Sequence, residues 1–132
     1  MAVIRLADMG DVLRIVDMIE DLRAAVDGPI TVDRTWTART VAGLIADPDG
    51  AVWVSPGGFI AGALRATVIN PEPIACEQGW FARDRSGLAL LRTFENWAVA
   101  RGARLIQLST GASGPDLSRL GYRLAERAWI KA

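Results

Sequence analysis

Apolar positions along the chain recur at two periods, and the periods divide it into helices and strands. Val12, Ile15, Val16, Ile19 and Leu22 return every three or four residues, the spacing of one buried helix face. Asp8 is placed to cap that helix and Asp11 falls in its first turn, where a carboxylate meets the positive end of the helix dipole. The helix must end before Asp27-Gly28-Pro29. A second, shorter helix is expected from Ala38 to Ile45, capped by Thr37, with Val41, Leu44 and Ile45 as its stripe. Asp47-Pro48-Asp49-Gly50 stops it. The strongest pattern is Leu90, Leu91, Phe94, Trp97 and Ala98, a helix that starts after Arg83-Asp84-Arg85-Ser86-Gly87. Arg101 suits its carbonyl end and Gly102 its C′ position. Pro115 is placed to open a short helix to Leu120, which Gly121 ends.

Between these lie short runs that suit strands. They are Ala2 to Leu6, Ala51 to Val54, Phe59 to Ile69, Ile74 to Ala82, Arg104 to Ser109 and Tyr122 to Lys131. Pro56-Gly57-Gly58 and Asn70-Pro71-Glu72-Pro73 are the turns that make hairpins of the second, third and fourth runs. Gly79, inside a strand, predicts a bulge or a close backbone approach. The order is β-α-α-β-β-β-α-β-α-β: an α/β chain with a mixed central sheet, antiparallel at first and then crossing over through a helix, with helices on its faces. No repeat, linker or low-complexity tract interrupts it, so residues 1–132 are expected to form a single domain.

Composition removes several chemistries. The 132 residues include no histidine, which excludes Ser-His-Asp and Cys-His systems and histidine metal sites. One cysteine, Cys76, permits neither an intrachain disulfide nor a cysteine zinc cluster. No acidic loop resembles a calcium site, so no metal is expected. Fifteen basic and fifteen acidic residues cancel, which argues against general nucleic-acid affinity. Fourteen of the fifteen cations are Arg, a bias read as coding composition. No apolar run approaches the ~20 residues of a membrane helix, and the N-terminus has no signal-peptide pattern. The expected location is cytoplasmic, with no membrane partner.

The unit from Ile74 to Thr110 carries the candidate chemistry: strand, glycine-bearing polar loop, helix, strand. Unpaired backbone N–H groups at such a helix start, with the helix dipole, suit a phosphate or pyrophosphate. Arg83 and Arg85 stand beside it. The alternative is a solvated turn whose arginines face water.

Several segments taken in order resemble the GNAT superfamily of acetyl-CoA-dependent N-acetyltransferases. Ile4-Arg5-Leu6-Ala7-Asp8-Met9-Gly10-Asp11 resembles the family's opening strand and first helix, and Phe59-Ile60-Ala61-Gly62-Ala63 its third strand. The run from Gly87 to Ala98 with Arg101-Gly102-Ala103 resembles the cofactor helix and its exit. Ile106-Gln107-Leu108-Ser109-Thr110 and Leu120-Gly121-Tyr122-Arg123 resemble the closing strands. Aligned on Leu90-Leu91 and Trp97, Gly87 takes the second glycine position of the family's loop and Arg85 the first. Leu117 takes the position where many members carry a general-acid tyrosine.

The resemblance implies a short, divergent member in which the strand ending at Ala82 splays from the strand Arg104 to Ser109. Acetyl-CoA would be the co-substrate. Backbone groups of Trp80, Phe81 and Ala82 would pair with its pantetheine. N–H groups from Arg85 through Ser86 and Gly87 to Leu88 would hold the pyrophosphate, helped by Arg83. An amine of a small molecule or protein would attack the thioester directly, its carbonyl polarised by a strand N–H. That suits a chain without histidine, where rate comes from positioning and oxyanion stabilisation. Glu77 lies near where the family places a base; the alternative is a solvent-facing glutamate. Trp36, beside the helices that border the acceptor site, and Glu72 would contact substrate. Ser109, Thr110, Ser113 and Ser118 are candidate proton donors. Asp84 is expected to orient Arg83 or Arg85, Glu95 to face solvent, Cys76 to be a small buried residue, and Tyr122 to pack in the sheet. Trp97 is expected in the core, Trp53 and Trp80 in core or cleft, and Trp129 in the core or a dimer contact. Family relatives often dimerise, which implies a homodimer. The alternative function on the same fold is a catalytically lapsed binding or structural module, of the kind compact members form in phage-like gene clusters.

Overall fold

The computed structural model describes residues 3–132. Its elements are β1 (Arg5–Leu6), α1 (Val12–Ala25), α2 (Arg34–Ala46), β2 (Gly50–Ser55), β3 (Gly58–Arg65), β4 (Ile74–Ala82), α3 (Gly87–Ala100) and β5 (Ile106–Gln107). They build one five-stranded sheet in sequence order, β1-β2-β3-β4-β5. Neighbours are antiparallel except β4 and β5, which are parallel because α3 carries the chain back between them.

Helices cover both sheet faces, so β2 and β3 are apolar on both sides and read as continuous runs rather than alternating ones. On one face Ile15, Val16, Met18 and Val41 pack against Val52, Val54, Phe59 and Ala61. On the other Leu90, Leu91, Phe94 and Ala98 pack against Ala51, Trp53, Ile60 and Ala75. Alternate residues of β3 thus enter opposite layers, as the period of a strand requires.

The entry to α1 rests on Asp8 and Asp11. Asp8 accepts the Gly10 N–H at 2.9 Å, and Asp11 accepts the Asp8 N–H at 2.9 Å. Arg5 from β1 grips the buried Asp11 carboxylate with two bonds of 2.7 and 2.8 Å. Arg14, 3.3 Å from Asp11, also donates to the Ser55 carbonyl at 3.0 Å, tying α1 to the β2–β3 turn. The Arg5 bonds hold the Asp11 carboxyl well below the usual carboxylate range. Their stabilisation is complete above the unfolded value of about 3.9 and fades as pH falls below it towards the lowered folded value. Asp11→Asn should cost about 2 kcal/mol in urea unfolding at pH 7, and the gap from wild type should narrow at pH 3.

Several elements differ from expectation. The first strand is only Arg5–Leu6, and Ala2 lies outside the described residues. α2 begins at Arg34, not Ala38, and its cap is Asp33, which accepts the Trp36 N–H at 3.0 Å. Thr37 instead sits inside, its hydroxyl donating to the Asp33 carbonyl. β3 stops at Arg65 rather than Ile69, because its last partner is Ile74 and the next turn, with Pro71 and Pro73, offers few donors. β5 is two residues instead of six, and the helix expected from Pro115 is a single 3₁₀ turn, Ser118–Leu120. Tyr122 to Lys131 forms no strand. A two-residue β5 leaves no edge long enough to template a sixth strand, and Trp129, 87% exposed, lies outside the core.

Candidate active site

β4 is paired along its whole length with β3, but with β5 only at Ala75↔Ile106 and Cys76↔Gln107. Beyond Cys76 the two parallel strands part, and β4 from Gln78 to Ala82 has one open edge. The register shift against β3, from Gly62↔Glu77 to Ala61↔Gly79, leaves Gln78 as the extra residue of a bulge. Gly79 is needed there, since a Cβ would lie 2.9 Å from the Phe59 ring. Glu77 stands at the point of parting. Its carboxylate accepts the Ser109 N–H from the β5 side at 3.1 Å. Burial pushes the Glu77 carboxyl above its usual range, and the Ser109 bond partly opposes this.

The open edge leads to the loop before α3. Ser86 is buried, its hydroxyl 2.7 Å from that of Ser55 and bonded to Asp84. Asp84 also accepts the Ser86 N–H at 3.0 Å, and these bonds hold its carboxyl below the usual range. Gly57 must be glycine beside it, because a Cβ would lie 2.7 Å from the Asp84 Oδ2. Asp84 therefore shapes the loop and does not orient Arg83 or Arg85. Arg83 pairs with Asp21 of α1 at 2.5 Å, and exposed Arg85 has no bonded partner among the described residues. The first backbone donor of α3 used inside the chain is Leu90, to the Ser86 carbonyl at 2.9 Å. The N–H groups of Gly87, Leu88 and Ala89 have no partner among the described residues, as a helix start dictates. Trp80 lies under this turn, its indole N–H donating to the Gly87 carbonyl at 3.0 Å.

Across the sheet, on the α1–α2 side, is a cavity of ≈ 260 Å³. Its lining includes Trp36 and Thr40 of α2, Ile19 of α1, Phe59 and Ala61 of β3, and Gln78. No lining side chain is charged. The Thr37 and Thr40 hydroxyls donate to carbonyls of their own helix at 2.8 and 3.0 Å. Because Gln78 is the bulge residue, this cavity reaches the strand at the place where it leaves β5.

The structure thus brings together Glu77, Trp80, Phe81, Ala82, Arg83, Arg85, Ser86, Gly87 and Leu88 along one strand edge and its loop. Trp36 joins them through the cavity. Glu72 stands apart, exposed at the other end of β4 and 3.4 Å from Arg104. Glu95 does not face solvent: it is largely buried and accepts the Tyr122 hydroxyl at 2.7 Å. Burial and Glu95 push the Tyr122 hydroxyl up. Tyr122 packs on the α3 side without belonging to a strand. Cys76 is half-buried rather than enclosed, and burial raises its thiol. Gln78 and Asp21 were not singled out from sequence. A bulge at Gly79 was the available signal for Gln78; the Asp21–Arg83 pair, 62 residues apart, left none. Among the described residues no three acidic or cysteine side chains cluster as metal ligands, and no helix is long and apolar enough to cross a membrane.

No protein-family profile matches the chain, and no curated protein matches it in sequence. Solved structures do match in shape. A predicted acetyltransferase from Clostridium acetobutylicum, solved with acetyl-CoA, is 18% identical, with 100% of this chain and 96% of that one covered and a TM-score of 0.80. A GCN5-related N-acetyltransferase from Ralstonia eutropha JMP134 is 16% identical, with 100% and 99% covered and a TM-score of 0.80. AAC(6')-Iy, in complex with the bisubstrate analogue CoA-S-monomethyl-acetylneamine, is 15% identical, with 100% and 97% covered and a TM-score of 0.78. The mixed sheet with its parting parallel pair, the bulged β4 and the helix that starts beside its open edge together give this chain the fold of the GNAT acetyltransferases.

Proposed function

We propose that the protein transfers an acetyl group from acetyl-CoA to the primary amine of a small molecule with an apolar body. The observation that carries this is the continuous path from the β4–β5 split, along the free edge of Trp80, Phe81 and Ala82, to three unpaired N–H groups at the start of α3. The edge offers main-chain partners to the pantetheine amides. The N–H groups of Gly87 and Leu88, with Arg85, face the pyrophosphate, and Arg83 joins them by giving up Asp21. Ser86 contributes by shaping the turn, since its own N–H is committed to Asp84.

Glu77 serves as base. A carboxyl raised by burial takes the proton of the ammonium group, directly or through one water. The free amine attacks the thioester carbonyl, a β4 N–H stabilises the oxyanion, the attacking nitrogen gives its second proton to water, and the intermediate collapses to amide and thiolate. A thiol pKa of ~8.5 makes the thiolate a fair leaving group, and exposed Ser109, beside Glu77, or solvent returns its proton.

The cavity sets the acceptor. Its lining carries no charge, so it offers nothing to a polycation and suits a ring or short chain stacked on Trp36, with the Gln78 amide at its mouth. Glu72 would meet only the far end of a longer acceptor. With acetyl-CoA present, an arylalkyl monoamine such as phenethylamine should release CoA with kcat/KM at least 10-fold above neamine. Trp36→Ala should raise KM for phenethylamine by ~10-fold with kcat little changed. Neamine turned over as well as phenethylamine would overturn the acceptor assignment. Acetyl-CoA binding without turnover of any amine would favour a lapsed binding module.

A further inference from the structure

We propose that Glu77 is also a positioning residue, a wedge whose side chain holds the β4–β5 split open. In a parallel ladder with the register Ala75↔Ile106 and Cys76↔Gln107, the next bond runs from the Ser109 N–H to the main-chain carbonyl of Glu77. That bond is absent. The same N–H goes to the Glu77 carboxylate instead, at 3.1 Å. The side chain of one residue has replaced its own carbonyl as acceptor. Paired strands lie ≈ 4.8 Å apart; a glutamate side chain placed between them exceeds that spacing, and the ladder ends there.

The substitution gives the exposed Ser109 N–H a charged acceptor in place of the ladder carbonyl. It also leaves the β4 edge beyond Cys76 free. The bulge at Gln78 assists by turning the strand at the same place. A shorter side chain would free the Ser109 N–H for the acceptor that the ladder register assigns to it, the main-chain carbonyl of residue 77. The strands would zip by at least one more pair and narrow the gap.

This role rests on the acetyl-CoA function proposed above, but its structural half can be tested alone. Glu77→Ala and Glu77→Gln are compared with wild type by two measurements: cross-strand backbone NOEs between residues 77 and 108–109, and isothermal titration with acetyl-CoA. Glu77→Ala should gain the NOEs of an extended ladder and bind acetyl-CoA at least 10-fold more weakly. Glu77→Gln keeps an oxygen of the same reach. It should retain the open split and an affinity within ~3-fold of wild type, while kcat falls because the amide takes no proton. A Glu77→Ala protein whose split stays open would overturn the wedge, and one that closes yet binds acetyl-CoA as tightly as wild type would overturn its role in cofactor binding. A Glu77→Gln protein that closes like Glu77→Ala would also overturn the wedge. Failure of the wild type to bind acetyl-CoA would defeat the function instead, and the NOEs would still decide whether Glu77 spreads the strands.

Discussion

Gly87→Phe should abolish the thermal stabilisation that acetyl-CoA gives the wild type while leaving the fold intact. At a ligand concentration of 100 Kd, binding adds about 2.7 kcal/mol, which for a chain of this size is a rise on the order of 10 °C in Tm. The variant should show almost none, because a side chain at the first turn of α3 stands over the Gly87 and Leu88 N–H groups. An affinity loss of about 1,000-fold, or about 4 kcal/mol, leaves the ligand at roughly a tenth of its new Kd, where it stabilises almost nothing. The apo protein should tolerate the change. A Cβ at this position meets Ala82 Cβ at 3.7 Å and Trp80 Nε1 at 3.9 Å, which are ordinary contacts. Replacing a helix glycine even favours the helix by several tenths of a kcal/mol. A variant shifted as much as wild type would place the pyrophosphate elsewhere. A wild type that never shifts would point to the binding-module alternative, with Arg85 at a glycine position and Asp84 on the Ser86 N–H as the reasons.

Phe94→Ala should destabilise the protein by about 4 kcal/mol and lower the urea midpoint by roughly 2 M. Phe94 is fully buried on the α3 side. It stacks on Trp97 with ring centroids 5.9 Å apart and meets Trp53 edge-on at 6.3 Å. Truncation removes both aromatic contacts and opens a cavity the sheet cannot collapse into. The ring is packed against Gly62 so closely that a Cβ there would lie 2.3 Å from Cε1. Gly62→Ala alone should therefore be destabilising by 1–3 kcal/mol through overpacking. In the Phe94→Ala background its cost should fall, because the ring it strikes is gone. Additive costs for the pair would show that the two sites do not share this space.

The long, strongly periodic elements were legible in sequence. β4 begins and ends as its pattern dictates, α3 starts one residue earlier, at Gly87, and the bulge falls at Gln78, beside the glycine that implied it. The N-terminus of α2 was not, because Arg34 to Thr37 carry no apolar stripe and the stronger cap, Asp33, stands four residues earlier than Thr37. Tyr122 to Lys131 carry alternating apolar residues, but a strand also needs an edge to pair with, and β5 is too short to supply one. At the site, the order of strand, loop and helix was visible along the chain. Which acceptor each polar group finds was not: Asp84 caps Ser86 rather than an arginine, Arg83 reaches Asp21, and Glu95 takes Tyr122.

Sequence by itself determined which chemistry is closed to this chain, since without histidine it holds no Ser-His-Asp or Cys-His system and no histidine metal ligand. It also determined the layered α/β plan, because hydrophobic period is a local property that survives without neighbours. Tertiary structure alone decided where the parallel ladder stops, that Gln78 turns into the cavity beneath Trp36, and that the Glu77 side chain takes the hydrogen bond its backbone would have made. Those outcomes depend on competition among hydrogen-bond acceptors brought together from distant segments, and periodicity carries no record of such encounters.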